Sequence, residues 1–497
     1  MKSLVEWVPR RFLPGQLHSK AHYAVLSTVD PRLPFSSSRP EQPPRNRRPL
    51  RHAWFWRPFT VRNILCSLAF APICILGAIL LQGIPPTYQD IRTFEQRLPQ
   101  HSISAWSSVD GVHYHHPRYL RFPGHLWGHG LNNVLQEALL MSYLAYVSNM
   151  SFVFEDYTWS RTFLPWAVQD LALRPARIPL NAIISGPTAG GPMPKGSQSP
   201  MAVSAEFYQS ICSGPDVQPY VLSSANAPND ANGDVIIDWW SQQLGSVQER
   251  CIEVDSTAHA LFDRFLFGGP RILSLWESLT SSPILTEFAW SPLVQSAVAR
   301  NFALLQPDTA KDIYTTPAPH LTLRGLAAVH LRRGDYKRHC PNLAKWGAEF
   351  MGFNQHPSLP DRFDPSPYAD DFAIKEEYYL AHCLPTTEQV VARLRTVRRE
   401  HHTQCGEMLR RVYVLSNEWA WSLEELKSAL EEDGWEDVVT STDLQMDAAQ
   451  YYVGMAVDMA IAEKAEVFVG NGFSSLSSNV VMLRMAKGMD VRSNRFL

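Results

Sequence analysis

The sequence predicts an α/β protein built from doubly wound, parallel-sheet domains. Three stretches carry that expectation. Residues 325–329 (GLAAV) are a short apolar run behind a glycine, and the run stops abruptly at His330, Arg332, Arg333, Asp335, Lys337, Arg338 and His339. Residues 122–154 pass from a glycine-punctuated loop into a helix with Leu135, Leu139, Tyr143 and Tyr146 on one face, then into the short strand SFVF. Residues 456–479 read as a helix, a strand at 467–469, a glycine turn and a serine-rich helix start. Strands buried on both faces are continuous apolar runs, and their alternation with helical periodicity marks βα units.

The bounds are ordinary. The chain has 497 residues, a net charge of −3, 45% hydrophobic and 19% charged residues, which leaves room for two domains. A near-neutral balance argues against a general nucleic-acid binder, and no nucleic-acid partner is expected. Seven cysteines without a CxxC pair give no support to zinc-finger or redox motifs.

The amino-terminal region divides by charge. Residues 1–62 are rich in proline, serine and basic groups, with Arg39, Arg45, Arg47, Arg48 and Arg51 against a single nearby acid, Glu41. They cannot bury a core and are expected to be a disordered cytosolic tail. Residues 64–81 are almost continuously apolar, about the length that crosses a bilayer. Pro72 and Gly77 suit a membrane helix better than a buried soluble one. Arg51, Arg57 and Arg62 put the amino terminus in the cytosol, and Trp54, Phe55 and Trp56 sit at the interface. The span lies too far from Met1 for a cleaved signal peptide. The expectation is a single-pass type II anchor at 63–84, a polar stem at 85–117, and folded domains at 118–324 and 325–497.

In the first domain, Gly128 and Gly130 precede a helix start, where free N–H groups can receive an anion. The third glycine of a dinucleotide fingerprint is missing, and the chain has no P-loop. Asn132 reads as a helix cap or as a ligand contact. Asn149, with Met150 and Ser151, is the single N-glycosylation sequon. Residues 181–233, low in charge and rich in Gly, Pro and Ser, read as a long surface excursion. Residues 256–305 read as helical, with Trp276, Leu279, Leu285 and Trp290 as core.

The second domain opens with the strand ending at His330. A cationic cluster at the carboxyl end of such a strand can hold a phosphate, because the arginine fork donates to two oxygens at once. The same residues also read as a solvated loop in which Arg332 pairs with Asp335, and the tripeptide Arg333, Gly334, Asp335 matches an integrin ligand by chance alone. Residues 342–371 have no assigned structure. A helix follows over 376–400, broken at Pro385, then a strand at 411–416 with Asn417 and Glu418 at its end. A helix at 421–433 and a strand at 438–440 come next. Beyond the turn Gly470, Asn471, Gly472, the hydroxyls of Ser474, Ser475, Ser477 and Ser478 form a second anion cradle or helix caps. Cys66 and Cys74 fall in the span. Of the five remaining cysteines, Cys212 pairs with Cys251, and Cys340 with Cys383 or Cys405, leaving one over.

Three of these stretches together resemble the GDP-fucose protein O-fucosyltransferases and the related α-1,2- and α-1,6-fucosyltransferases. They are His330, Leu331, Arg332 with Gly334 and Asp335; Gly130, Leu131, Asn132 before the first helix; and Asp458 followed by AEVFVGN at 465–471 and the serine turn. Asn133 stands where the family more often has Gln, and 181–233 and 342–371 match nothing. The resemblance implies a GT-B-like fold of two facing Rossmann-like domains. It implies that Arg332 contacts the β-phosphate of GDP-fucose, that Asp458 reads the guanine, and that His330 and Asn471 lie by the nucleotide. It also implies that Ser474, Ser475, Ser477 and Ser478 bind the diphosphate and that Asn132 sits at the sugar and acceptor. The activity implied is inverting, metal-independent fucose transfer to a protein or glycan hydroxyl in the Golgi or endoplasmic reticulum, without a cofactor. A nucleotide-sugar or glycan-binding membrane protein without catalysis is the alternative.

Overall fold

The computed structural model describes residues 74, 77–102, 117–124, 130–169, 172–197, 199–214, 217–307 and 322–497. The expected basic tail and most of the expected 63–84 span lie outside the described residues. Among those described, no helix is long and apolar enough to cross a membrane.

The first sheet has five parallel strands: β1 (Tyr119–Arg121), β2 (Ser151–Phe154), β3 (Val203–Ser204), β4 (Tyr220–Ser223) and β5 (Cys251–Asp255), in the order β3-β2-β1-β5-β4. Its helices include α1 (Gln89–Gln96), α2 (Leu131–Val147), α3 (Ala205–Cys212) and α4 (Gly233–Ser246). Helix α2 is buried on nearly all sides, polar Asn132, Gln136 and Glu137 included. A helix so enclosed is a core element, packed on more than one layer.

Two expectations for this half need correction. Residues 88–102 of the expected stem are folded onto the domain: the Tyr88 hydroxyl donates to the Ala449 carbonyl at 3.0 Å, and Gln100 donates to the carbonyls of Gly190 and Ala202 at 2.9 and 2.7 Å. Buried Glu95 on α1 accepts from the main-chain and side-chain amides of Asn181 at 3.2 and 3.1 Å, and burial pushes its carboxyl up to about 7. The 181–233 excursion is likewise built into the fold. Ile183, Ile184, Ala189 and Ala202 are buried, and the segment supplies β3, α3 and β4. Its low charge reflects burial of small residues against α2, where Thr188 donates to Ser142 at 3.1 Å. The 256–305 stretch is a series of short helices leading to α5 (Pro292–Arg300). Leu279, Leu285 and Trp290 are buried as expected, and Trp276 is half-buried.

The second sheet is also parallel: β6 (Leu323–Leu331), β7 (Arg411–Ser416), β8 (Asp437–Thr440), β9 (Ala465–Gly470) and β10 (Asn494–Phe496), in the order β8-β7-β6-β9-β10. Side chains alternate between its faces. Ala328, Tyr413 and Phe468 join one core, while Ala327, Val329, Val412, Val414, Val467 and Val469 join another. The helices are α6 (Tyr336–Trp346), α7 (Phe372–Cys383), α8 (Thr387–Cys405), α9 (Ala420–Glu432), α10 (Gly454–Lys464) and α11 (Ser475–Ala486). The break at Pro385 is as expected, because Thr386 and Gln389 form a capping box that starts α8 anew. The unassigned 342–371 stretch completes α6 and then buries Phe350, Phe353 and Leu359.

Strands run outward from β6 to β8, then return to the other side of β6 for β9 and β10. The winding therefore reverses between β6 and β9, and such a switch point opens a crevice at the carboxyl ends of the strands. Disulfides join Cys212 to Cys251 and Cys340 to Cys383, and Cys405 is exposed and unpaired. Fully buried Arg484 on α11 donates to the carbonyls of Ala462, Glu463 and Glu466 and to the Asn494 side chain, closing the carboxyl end of α10. Burial pulls its pKa down to about 9.

Candidate active site

Both sequence cradles converge on this switch point. His330, near the end of β6, is buried, and its Nδ1 lies 2.9 Å from the Ser477 hydroxyl on α11. The same hydroxyl accepts from the Asn471 main-chain N–H at 3.0 Å. β6, the turn after β9 and the start of α11 are thereby tied across the crevice. Asn471 shapes that turn. Its side-chain oxygen accepts from Phe473 N–H at 3.1 Å, and its amide donates to the Cys383 carbonyl at 2.8 Å. At Gly472 a Cβ would overlap the Phe350 ring, so only glycine lets the turn lie against that aromatic.

The serines are buried and structured. Ser474 caps α11 and accepts from Leu476 N–H at 3.3 Å. The helix begins at Ser475, four residues earlier than the expected 479, because Ser474 is its cap. Ser478 Oγ accepts from Phe353 N–H at 3.0 Å and from the Gln136 amide at 3.3 Å. Ser477 and Ser478 are fully buried, and Ser475 is nearly so.

Arg332 stands just beyond β6. It donates to Asp335 from Nη2 at 2.8 Å and from Nε at 3.3 Å, and its guanidinium lies 4.5 Å from the Tyr336 ring centre. The sequence's pairing of Arg332 with Asp335 is therefore present, and it presents the fork in a fixed orientation. Burial works against the Arg332 charge, but Tyr336 and Asp335 outweigh it and hold the pKa above the usual value. Tyr336 in turn donates to the Phe473 carbonyl at 2.8 Å, connecting the arginine to the second cradle.

Asp458 and Asn132 are each held by a neighbouring element. Asp458 on α10 is buried, and its Oδ1 accepts from the Tyr413 hydroxyl of β7 at 2.6 Å. Asn132 is not the cap of α2, because Gly130 holds that position without any side-chain cap. Its main-chain and side-chain oxygens instead accept from Asn479 at 2.9 and 3.2 Å, and its amide lies 3.1 Å from Met455 Sδ. Asn149 stands apart, exposed at φ +51° in the turn before β2, and the Ser151 hydroxyl of its sequon donates to the Met201 carbonyl. Among the described residues no group of three or more His, Cys, Asp or Glu could hold a metal ion.

Sequence reasoning passed over Gln136, Asn354, Asn417 and Asn479. Asn354 donates to the Gly472 carbonyl at 2.9 Å, and Asn417 accepts from Arg333 N–H at 2.7 Å. Only Asn417 left a signal, as a polar residue directly after an apolar strand.

Residues 290–487 match the family model described as GDP-fucose protein O-fucosyltransferase. No curated protein matches the chain. Among solved structures, similarity is found to POFUT1 in complex with GDP, at 13% identity over 77% of this chain and 98% of that one, with a TM-score of 0.42. NodZ α-1,6-fucosyltransferase soaked with GDP-fucose matches at 11% identity over 74% and 92% of the two chains, with a TM-score of 0.34. A mutant of Arabidopsis thaliana FUT1 in complex with GDP matches at 11% identity over 80% and 77%, with a TM-score of 0.34. The match to the GDP-fucose protein O-fucosyltransferase model thus takes in both edges of the switch point, β6 and β9.

Proposed function

We propose that the chain is an inverting fucosyltransferase that moves fucose from GDP-fucose to a hydroxyl of a protein or glycan acceptor. The observation that carries this reading is the convergence of His330, Arg332 and the 470–478 turn on the switch point of a parallel sheet within the family-matched segment. Arg332, already oriented by Asp335, faces the β-phosphate and stabilises the negative charge that builds there as the fucosyl–oxygen bond breaks. The sugar passes through an oxocarbenium-like state and meets the acceptor hydroxyl from the opposite face, which inverts its configuration. Asp458 accepts from guanine N–H groups, His330, Asn471 and the serine turn surround the diphosphate, and Asn132 positions the acceptor. No metal is required. The 63–84 span anchors the protein as a type II membrane protein of the Golgi or endoplasmic reticulum. Its length and the arginines before it support that placement.

Calorimetric titration of the full chain with GDP and UDP in EDTA tests the donor site. GDP is expected to bind in preference to UDP, and Asp458→Ala to remove the preference. A folded protein that binds no GDP overturns the reading. Arg332→Ala is expected to abolish fucose transfer in a protein that still folds. A non-catalytic nucleotide-sugar binder is the second reading, favoured by the engagement of Asn132 with Asn479 and Met455. It would bind GDP-fucose and transfer fucose to no acceptor.

A further inference from the structure

We infer that Asn417, at the tip of β7, is a positioning residue that fixes the donor-side arginine through Asp335. The inference rests on the proposed contact of Arg332 with the β-phosphate. Asn417 uses both ends of its amide. Its Oδ1 accepts from the main-chain N–H of Arg333 at 2.7 Å, and its Nδ2 donates to Asp335 Oδ1 at 3.1 Å. Asp335 then holds Arg332 from both carboxylate oxygens. The chain of contacts is therefore Asn417 to Asp335 to Arg332, with the loop backbone held at the same time.

Two further observations show that the loop is built around this amide. A Cβ at Gly334 would lie 3.0 Å from Asn417 Nδ2, so the glycine leaves the room the amide occupies. The neighbouring Glu418 makes an ion pair with Lys337 at 3.6 Å, so the β7 tip grips the 332–337 segment at a second point. Asn is suited to the task because it donates and accepts at once. An aspartate of the same shape would still accept from Arg333 but would set a second carboxylate against Asp335.

The test compares GDP with GMP, whose sole difference is the β-phosphate, by calorimetry on the full chain. Wild-type protein is expected to bind GDP more tightly than GMP, and Arg332→Ala to remove that ratio. Asn417→Ala and Asn417→Asp are expected to cut the ratio about 10- to 100-fold, the factor carried by a hydrogen bond to a charged group, while GMP affinity stays unchanged. In Asn417→Asp the ratio should recover towards wild type as the pH falls, because one shared proton restores the donated hydrogen bond. A loss confined to the Asn417→Ala protein with GMP binding also weakened would mark a purely structural role and overturn the inference. So would an unchanged ratio in Asn417→Asp beside a lost ratio in Arg332→Ala. If wild-type protein shows no preference for GDP over GMP, the β-phosphate reading of Arg332 fails, and the inference fails with it.

Discussion

The Asn479 amide on α11 donates to both oxygens of Asn132 on α2, at 2.9 Å to the main chain and 3.2 Å to the side chain, and both residues are buried. Helix α2 of the first sheet is thereby joined to α11, the helix that the serine turn opens in the second.

Replacing Asn479 with Leu keeps the branched shape with a bulkier side chain and leaves the buried Asn132 side-chain oxygen without its donor. That costs about 1–3 kcal/mol of stability, and thermal unfolding should show it as a lowered midpoint. Asn132→Ala removes one of the two acceptors, so its cost should be smaller. The double variant should lose less than the sum of the two, since the residues share one interaction. Strict additivity in a double-mutant cycle would refute the coupling.

The Tyr413 hydroxyl is placed to hold the Asp458 carboxylate at 2.6 Å inside the second sheet's core. Tyr413→Phe is expected to destabilise the fold by about 1–3 kcal/mol, because a buried acceptor loses a donor. Asp458→Asn keeps an oxygen to accept from Tyr413 and should fold better than Tyr413→Phe, yet it removes the charge proposed to read guanine. Its selectivity for GDP over UDP should therefore fall although its melting curve is nearly normal. Titration and melting measured on the same two proteins separate the roles, and retained selectivity in Asp458→Asn would remove Asp458 from the base-reading site.

What could be read in the sequence follows from the range of each signal. β6, β7, β9, α2 and the break before α8 are local patterns: apolar runs, helical periodicity, a proline with a capping box. The contacts that finish the site are not local. Gln136 meets Ser478 across 342 positions, Asn354 meets the Gly472 carbonyl across 118, and Asn417 meets Arg333 across 84. No window of sequence holds both partners. The 181–233 stretch misled because Gly, Pro and Ser with few charges describe a surface loop and a tightly packed irregular core equally well. The segment near Glu95 misled because its polar side chains are satisfied by buried main chain that the sequence does not display. Arg484 looks like an ordinary cation near a helix end, and only its carbonyl partners reveal a buried clamp.

The stability that the buried histidines contribute should fall as the pH drops through about 6.5, while Glu95, held protonated by burial up to about 7, contributes in the opposite sense. His101, His339, His356 and His382 all have pKa values lowered, in each case chiefly by burial. At these four positions the folded state therefore binds protons only at lower pH than the unfolded chain, whose histidines titrate near 6.5. Between those points the unfolded state binds more protons, so stability is present above the unfolded value and lost below it. Melting temperatures at pH 7.5 and 5.5, measured in a Glu95→Gln background that removes the opposing carboxyl, test the sign. His382 is the best single probe, because its ring packs on Tyr378 and Phe363 and its Nδ1 lies 2.8 Å from the Tyr378 carbonyl. His382→Gln should reduce the difference between the two pH values, and an unchanged difference would show that this histidine carries none of it.

The turn after β9 depends on an aromatic as much as on its glycine. Phe350 stacks on Phe363 and meets Phe473 and Phe496 edge-on or tilted, with ring centres 4.9–5.1 Å apart. The turn lies so close that Gly472 cannot carry a Cβ without overlapping the Phe350 ring. Gly472→Ala must push either the ring or the turn, and overpacking of this kind costs about 1–3 kcal/mol. If the turn moves, the Asn354 bond to the Gly472 carbonyl and the Met351 N–H bond to the same oxygen are disturbed. Ser474 and Ser477 then shift with it, and GDP affinity should fall together with stability. Pairing Gly472→Ala with Phe350→Leu frees the space and should recover GDP affinity, although the smaller side chain leaves a cavity. Recovery in the pair, against loss in Gly472→Ala alone, is the result expected from titration. Equal loss in both would mean that the glycine is required for its backbone and not for the room it leaves the ring.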